Sequence, residues 1–383
     1  MARVLFYVQH LLGIGHLIRA ARICWALRNA GFEIHLVAGG NPVANLDLGG
    51  MTVIQLPPLK VVNGGFSCLV TEKGKPVTDE DKAHRARILR EIFLSVRPDV
   101  LVTETFPFGR RQMRFELLPL LEAAKERRYR PLIISSVRDI LQEGNRVERS
   151  REVVDLARRY FDHVIVHGDP RLISFGSTFP LVSEIEDLAC YSGLVAPVID
   201  HSQSPAFVAD VVVSAGGGAV GRKLIETAVA SKSMTTMAHG RWLILSGPNV
   251  DSAWLDQLRA RAADIGIALE HFVPDLVNVL GRARLSISQA GYNTVADVLV
   301  AGCKAVFVPF SGWGETEQAR RARLLEEEGF GVVLPENKLS PEALATAIDR
   351  ALNLPQPTLS IKLDGAAETA KILGRLNAEH HRA

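Results

Sequence analysis

Three side chains of this 383-residue chain are placed to move protons: His16, Glu104 and Asp139. His16 closes the turn Gly13-Ile14-Gly15-His16, while Glu104 and Asp139 stand at or just past the ends of apolar runs. An imidazole titrates near neutral pH, which ranks His16 first as a general base. Either carboxylate could be the base instead, or orient an acceptor. His10 ends the first apolar run, where a satisfied buried histidine and an acceptor contact are equally open. Arg110, Arg111 and Arg138 flank the carboxylates, so an ion pair between one of them and Glu104 or Asp139 is expected.

A second group of residues suits an anion. Residues 286–318 read as strand, glycine turn, short helix, strand, and a loop rich in glycine and acid that opens another helix. Gly291, Tyr292, Asn293 and Thr294 fall at the first helix start, where unpaired N–H groups and the helix dipole favour a diphosphate. Asp297 lies one turn inside, within reach of sugar hydroxyls. Glu317 and Gln318 open the second helix beside Glu315 and Thr316. Each has a plainer alternative: Asn293, Thr294 and residues 315–318 as helix caps, Asp297 as an acid that favours the dipole. Gly216-Gly217-Gly218 makes another strand-to-helix turn without the Lys-Ser or Lys-Thr ending of an NTP-hydrolysing loop. Next to the 289–293 turn it reads as a phosphate cradle. The ligand that these groups fit is a nucleotide-sugar.

The Gly13–Gly15 turn is no dinucleotide fingerprint. Ile18 stands where the third glycine belongs, and Ala38-Gly39-Gly40 where an acid should close the second strand. Its glycines let a substrate approach the backbone, or serve only a tight turn.

The elements that must position these residues alternate along the chain. Apolar runs at 4–8, 33–38, 98–104, 132–137 and 163–167 read as strands, with helices at 16–29, up to about 95, and 151–160. Continuous apolar strands joined by helices indicate parallel sheets covered on both faces. Residues 59–81, rich in Gly, Lys and Thr, read as a mobile surface loop, and 189–205 as an interdomain crossover. A second series follows: strands at 208–214, 242–245 and 268–271, helices ending at 231 and spanning 251–265, then the 286–318 tract. Helices at 341–352 and 366–378 finish the chain.

Composition bounds the rest. The length suits two α/β domains, and 47% hydrophobic with 22% charged residues is ordinary for globular protein. A formal charge of +2 gives no case for nucleic-acid binding as the main activity. The four cysteines have neither CxxC spacing nor His partners, so no metal site is expected and a reducing, cytoplasmic setting is. The apolar start reads as a strand rather than a signal peptide, and no stretch reaches the roughly 18–20 apolar residues of a membrane span. Peripheral contact at the inner face of a membrane stays open.

The motifs together resemble the GT-B glycosyltransferases of family 28. The matching residues are Gly13-Ile-Gly-His16, Ser214-Ala-Gly-Gly-Gly218, Phe272-Val-Pro-Asp-Leu276, Ser288-Gln-Ala-Gly-Tyr-Asn-Thr-Val-Ala-Asp297, Val308-Pro-Phe310 and Glu317-Gln318. The resemblance implies two facing Rossmann-like, doubly wound domains with a cleft between them. Residues 1–195 would bind the acceptor, 196–360 the donor, and a helix in 361–383 would pack back on the N-terminal domain. It implies that Phe272 and Val273 border the base, and that Asp297 holds the ribose. Gly217, Gly218, Asn293 and Thr294 would surround the diphosphate, and Glu317 and Gln318 would face the donor sugar. His16 matches the family's N-terminal loop histidine. Asp297 replaces the usual Glu, Gln289 stands where Arg or Ser is common, and 193–197 lacks an arginine for which Arg222 or Lys223 would compensate.

The expected reaction is transfer of a sugar from a nucleoside diphosphate, UDP foremost, to an acceptor hydroxyl, with inversion and without metal or other cofactor. The acceptor could be lipid-linked, a polysaccharide or a small molecule. A nucleotide-sugar 2-epimerase of the same fold is the rival enzyme, and a non-catalytic sugar-nucleotide-binding subunit the rival without activity.

Overall fold

A computed structural model describes residues 1–383 apart from 12, 44–50, 62–67, 142–146, 201, 203, 217–220, 248–249, 313–314 and 383. The chain divides into two compact units, residues 1–195 with 364–383, and residues 196–363.

The first unit is built on a parallel sheet. Its strands are β1 (Arg3–Val8), β2 (Glu33–Ala38) and β3 (Thr52–Gln55), then β6 (Val100–Glu104), β7 (Leu132–Arg138), β8 (His163–His167) and β9 (Ala189–Tyr191), in the order β3-β2-β1-β6-β7-β8-β9. Val4 to Val8 are all buried, as a strand covered on both faces demands. The helices are α1 (Gly15–Asn29), α2 (Asp79–Val96), α3 (Arg114–Lys125) and α4 (Val147–Tyr160). Strand order reverses between β1 and β6, and ligands of open α/β sheets bind beyond the carboxyl ends at such a switch point. His10 and His16 follow β1 and Glu104 ends β6, so the topology alone gathers them.

Two expectations need correction. Residues 59–81 are not one loop: β4 (Leu59–Val61) pairs antiparallel with β5 (Leu69–Thr71), and α2 begins at Asp79 behind a Thr78–Asp81 capping box. Apolar Leu59, Val61, Leu69 and Val70 are buried and anchor the ribbon. Residues 189–191 are not part of a crossover either. They add β9 beside β8, with the phenol of Tyr191 accepting from the Phe175 N–H.

A buried network braces the end of β1. Glu116 receives the Tyr7 hydroxyl and Arg85, whose guanidinium also donates to Gln9 Oε1 at 2.6 Å. The Gln9 carbonyl accepts from Arg110 Nε at 2.8 Å. Burial first, then Glu116, pushes the Tyr7 phenol well above its ordinary range.

The last helix, α11 (Gly365–His380), packs against α1. Its first residue must be glycine: a Cβ there would sit 2.3 Å from the Gly193 carbonyl oxygen. His380 Nε2 lies 2.9 Å from the Arg130 carbonyl oxygen at the other end.

The second unit repeats the plan with different residues. Strands β10 (Val211–Ser214), β11 (Trp242–Leu245), β12 (Ile267–Glu270), β13 (Leu285–Ser288), β14 (Lys304–Phe307) and β15 (Val332–Val333) run parallel in the order β12-β11-β10-β13-β14-β15. Helices α5 (Arg222–Ser231), α6 (Ser252–Ala263), α7 (Leu276–Leu280), α8 (Tyr292–Ala301), α9 (Glu317–Glu327) and α10 (Pro341–Leu352) connect and cover them. The switch point lies between β10 and β13. The turns at Gly216 and at 289–293 leave those two strands, so both sit at the carboxyl edge of this sheet, where open α/β sheets bind ligands.

Candidate active site

In the first unit, α1 starts at Gly15 and carries His16 and Arg19 three residues apart, hence on one face. Both meet Glu104, which is fully buried at the end of β6. His16 Nδ1 lies 2.9 Å from Glu104 Oε1 and 3.0 Å from Oε2. Arg19 Nη2 donates to the same Oε1, and Thr105 Oγ1 donates to it at 2.7 Å. Of the two carboxylates expected to hold an ion pair, Glu104 thus forms one with Arg19 of α1.

The charge states follow from these contacts. Burial first, then Arg110, push the His16 imidazole down to about 3 against the pull of Glu104. Burial alone would raise the Glu104 carboxyl, but His16, Arg19 and Arg110 outweigh it and hold it well below the carboxylate range. At neutral pH the imidazole is uncharged, so the two arginines carry that effect. An ionised carboxylate can only accept, so the proton sits on His16 Nδ1 and the lone pair on Nε2. This tautomer leaves Nε2 free to accept a proton, but the lowered pKa departs from the near-neutral titration expected of His16, because burial and the arginines disfavour the imidazolium.

His16 lines a cavity of about 610 Å³ with Thr105, Phe108 and Arg110 from the loop after β6, and with residues of the α3 and α4 region. The loop is strained at its start, because Thr105, a β-branched residue, has φ +66°. Arg110 follows with φ +57°. Asp139 and His10 do not line this cavity. Asp139 is buried, with Oδ1 accepting from the Ile140 N–H at 2.8 Å. His10 is buried too, with Nε2 2.9 Å from the Asn41 carbonyl oxygen, and burial lowers its pKa. Gly13 is half-buried, and a Cβ there would meet no atom within 4 Å, so the backbone beside α1 stays approachable.

Sequence reasoning missed His167, fully buried at the end of β8. Its Nε2 lies 2.7 Å from Ser136 Oγ and its Nδ1 2.9 Å from Ser192 Oγ. Burial, then Arg19, lower its pKa to about 3. A histidine ending an apolar run was the available signal.

In the second unit, Gly291 is the N-cap of α8 and supplies no side chain to the cap. Tyr292 is buried, while Asn293, Thr294 and Asp297 are half-buried along the first turns. The N-terminus of α9 differs: Glu315 Oε1 accepts from the Glu317 N–H at 2.7 Å, so a carboxylate of the chain already sits there. Glu317 is buried and paired with buried Arg321 at 2.9 Å. Gln318 Oε1 joins two loops, accepting from Ala290 N at 3.1 Å and Phe310 N at 3.2 Å. Phe272 is 62% exposed just past β12, whereas its neighbour Val273 is buried. Gly216 has φ +72°, a turn conformation that favours glycine. Gly217 and Gly218 lie outside the described residues. Arg222 and Lys223, expected to compensate for a missing arginine, are engaged elsewhere. Arg222 lies over the Trp254 ring and pairs with Glu226, and Lys223 Nζ donates to the Glu336 carbonyl at 2.8 Å.

Residues 211–371 match the glycosyltransferase family 28 C-terminal domain. The UDP-N-acetylglucosamine–N-acetylmuramyl-(pentapeptide) pyrophosphoryl-undecaprenol N-acetylglucosamine transferase of Albidiferax ferrireducens is 35% identical over 128 residues, 33% of this chain and 31% of that protein. Its counterpart from Ralstonia nicotianae is 31% identical over 137 residues, 34% of this chain and 37% of that protein. The matched stretch thus spans about a third of these relatives. Among solved structures, MurG of Acinetobacter baumannii is similar over 100% of both chains, with a TM-score of 0.59 and 16% identity. The calicheamicin glycosyltransferase CalG4 is similar over 99% of this chain and 95% of that one, with a TM-score of 0.60 and 16% identity. The chain has the fold of the GT-B glycosyltransferases, and its residues 211–371 are similar to the C-terminal domain of glycosyltransferase family 28.

Proposed function

We propose that this chain is a glycosyltransferase that moves a sugar from a nucleoside diphosphate, UDP foremost, to an acceptor hydroxyl with inversion. The observation that carries the reading is the neutral His16, fixed by buried Glu104 with its basic nitrogen free of the proton. The acceptor O–H proton passes to Nε2 as the oxygen attacks the anomeric carbon. The bond from that carbon to the diphosphate breaks in the same displacement, which inverts the centre. Glu104 then faces an imidazolium, the charge its ionised carboxylate stabilises.

The second unit is the donor side of the reading. The α8 start, with Gly291 at its cap and Asn293 and Thr294 in its first turn, offers N–H groups to the diphosphate. Asp297 holds the ribose, and exposed Phe272 borders the base. Preorganised N–H dipoles stabilise the departing charge, which is why we propose a metal-independent reaction. Gln318 sets the loop that carries Gly291, and Glu317 acts through Arg321, whose Nη1 donates to the Ala290 carbonyl at 3.3 Å. UDP is preferred because the relatives that match this region are named for UDP-N-acetylglucosamine. A cytoplasmic protein that works on cytoplasmic nucleotide-sugars fits this reading. Among the described residues no helix is long and apolar enough to cross a membrane.

The test is a thermal-shift comparison of UDP, GDP and dTDP, followed by a donor-consumption assay with and without EDTA. A ligand that binds only the folded state raises the midpoint. UDP is expected to give the largest shift, and EDTA no loss of turnover. No shift with any of the three overturns the reading.

A further inference from the structure

Two serine hydroxyls and one imidazole link the ends of neighbouring strands behind Glu104. Strands β6, β7, β8 and β9 lie side by side, with Glu104 opposite Ser136 in the register of β6 and β7. Ser136 holds the turn after β6, its carbonyl accepting from the Thr105 N–H at 2.7 Å. One residue earlier, Ser135 Oγ donates to the Phe106 carbonyl at 2.8 Å. Thr105 has φ +66°, so these bonds keep a strained turn in place. The Ser136 hydroxyl meets His167 Nε2 at 2.7 Å, and His167 Nδ1 meets Ser192 Oγ at 2.9 Å just past β9. Proton counting gives these bonds a direction. Ser192 Oγ donates to the Gly193 carbonyl at 3.1 Å, and a hydroxyl has one proton, so Oγ accepts from His167 Nδ1–H. The imidazole is uncharged at neutral pH, which leaves Nε2 to accept from the Ser136 hydroxyl. Both ends of the link are fixed. Gly168 packs so closely on Asp139 that a Cβ there would lie 2.4 Å from the Asp139 Cβ, and the Leu194 carbonyl accepts from the Gly365 N–H at 3.0 Å.

We propose that His167 is a positioning residue for the transfer reaction: by tying Ser136 to Ser192 it fixes the Glu104–Thr105 turn, and with it the carboxylate that sets the His16 tautomer. The inference rests on the transferase reading and adds a residue that acts through others, since His167 does not line the cavity beside His16. His167, Ser136 and Ser192 are all buried, so a partner lost at either nitrogen is not replaced by bulk water. A histidine that only filled space would be matched by any side chain of similar volume. A positioning histidine needs an acceptor facing Ser136, the side nearer Glu104.

The experiment compares the full chain with Ser136→Ala, His167→Asn and His167→Gln. Glutamine can set a carbonyl oxygen near the place of Nε2 and still accept from Ser136, whereas the shorter asparagine reaches only towards Ser192. In a UDP-N-acetylglucosamine consumption assay, kcat is expected to fall roughly tenfold in Ser136→Ala and His167→Asn, the scale of one buried hydrogen bond, with KM for the donor unchanged. His167→Gln should recover most of that loss. Ser136→Ala/His167→Asn should be no slower than either single variant, because both break the same link. Nitrogen-15 NMR of the histidine-labelled chain reads the event without turnover, with the His16 signals identified by their loss in His16→Gln. Nδ1 of His16 should carry the proton in the parent, and Ser136→Ala should show mixed tautomers. An unchanged tautomer and kcat in Ser136→Ala, the smallest of these changes, overturns the proposal. So does a kcat that follows only the unfolding midpoint in both His167 variants, since that is a structural role. A tautomer that responds in a chain without turnover would strike the transferase reading instead, and leave the hold of His167 on the pair standing.

Discussion

His16 and Glu104 are 88 residues apart in sequence, yet the imidazole Nδ1 lies 2.9 Å from the carboxylate. The switch point between β1 and β6 produces this meeting, since it places the residue after one strand beside the end of the other. Arg19 and Thr105 complete the grip, so the carboxylate has little freedom to turn or to take up a proton.

Replacing Glu104 by Gln tests whether the carboxylate sets the tautomer. An amide can donate to Nδ1 and so move the proton to Nε2, which would then be unable to accept. Turnover should fall by about 10²–10⁴, the scale of such tautomer errors elsewhere. UDP affinity, measured by calorimetry, should be unchanged because the residues proposed to hold the nucleotide lie on other elements. A loss of nucleotide affinity equal to the loss of rate would count against the assignment.

Stability should fall in acid through His167. Its folded pKa of about 3 lies below the ordinary value of 6.5, so between these limits the unfolded chain binds a proton that the folded chain does not. Its contribution is therefore fully present above pH 6.5 and lost as pH falls towards 3. His16 acts in the same sense. Urea unfolding between pH 4 and 7 should show a positive slope of stability with pH, and His167→Gln should flatten it by about one proton's worth, roughly 1.4 kcal/mol per pH unit. An unchanged slope in that variant would show that His167 is protonated in the folded state.

Much of this was legible in the chain. Continuous apolar runs identified most central strands because both faces of a parallel sheet are buried. The glycine turns marked the carboxyl edges of the sheets because they follow those strands. Arg19 was missed although its spacing from His16 puts both on one helical face. The Thr78–Asp81 box was missed because the surrounding Gly and Lys obscured a helix start. The positive φ of Thr105 left no mark in the sequence, since threonine rarely adopts it and the fold imposes it. The status of 315–318 depended on a choice between ligand and cap, and Glu315 capping α9 is a contact that only coordinates decide.

Gly109 sets the position of Thr105. A Cβ at residue 109 would lie 2.6 Å from Thr105 Cγ2, so Gly109→Ala must push the threonine aside. The Thr105 hydroxyl would then leave Glu104, one of the hydrogen bonds that holds the carboxylate. Turnover should drop by roughly tenfold, as expected for loss of one supporting hydrogen bond of 1–2 kcal/mol. Gly109→Ala with Thr105→Ser, which removes the opposing methyl, should recover most of the rate in the same assay. Failure of that rescue would mean that the loop itself, not the threonine contact, suffers.

Gln318 provides the last test, because its carbonyl serves two backbone donors at once, Ala290 N and Phe310 N. Gln318→Ala leaves both without that acceptor, at about 1–3 kcal/mol for each buried group left unsatisfied. The loop before α8 should loosen, and stability and UDP affinity should fall together. Gln318→Glu keeps an oxygen for the same two donors but adds a negative charge beside the proposed diphosphate site. That variant should unfold close to the parent midpoint and still bind UDP at least tenfold more weakly, with uridine, which lacks the phosphates, binding as before. Equal losses for UDP and uridine in Gln318→Glu would place the diphosphate elsewhere, since only a ligand with phosphates feels the added charge.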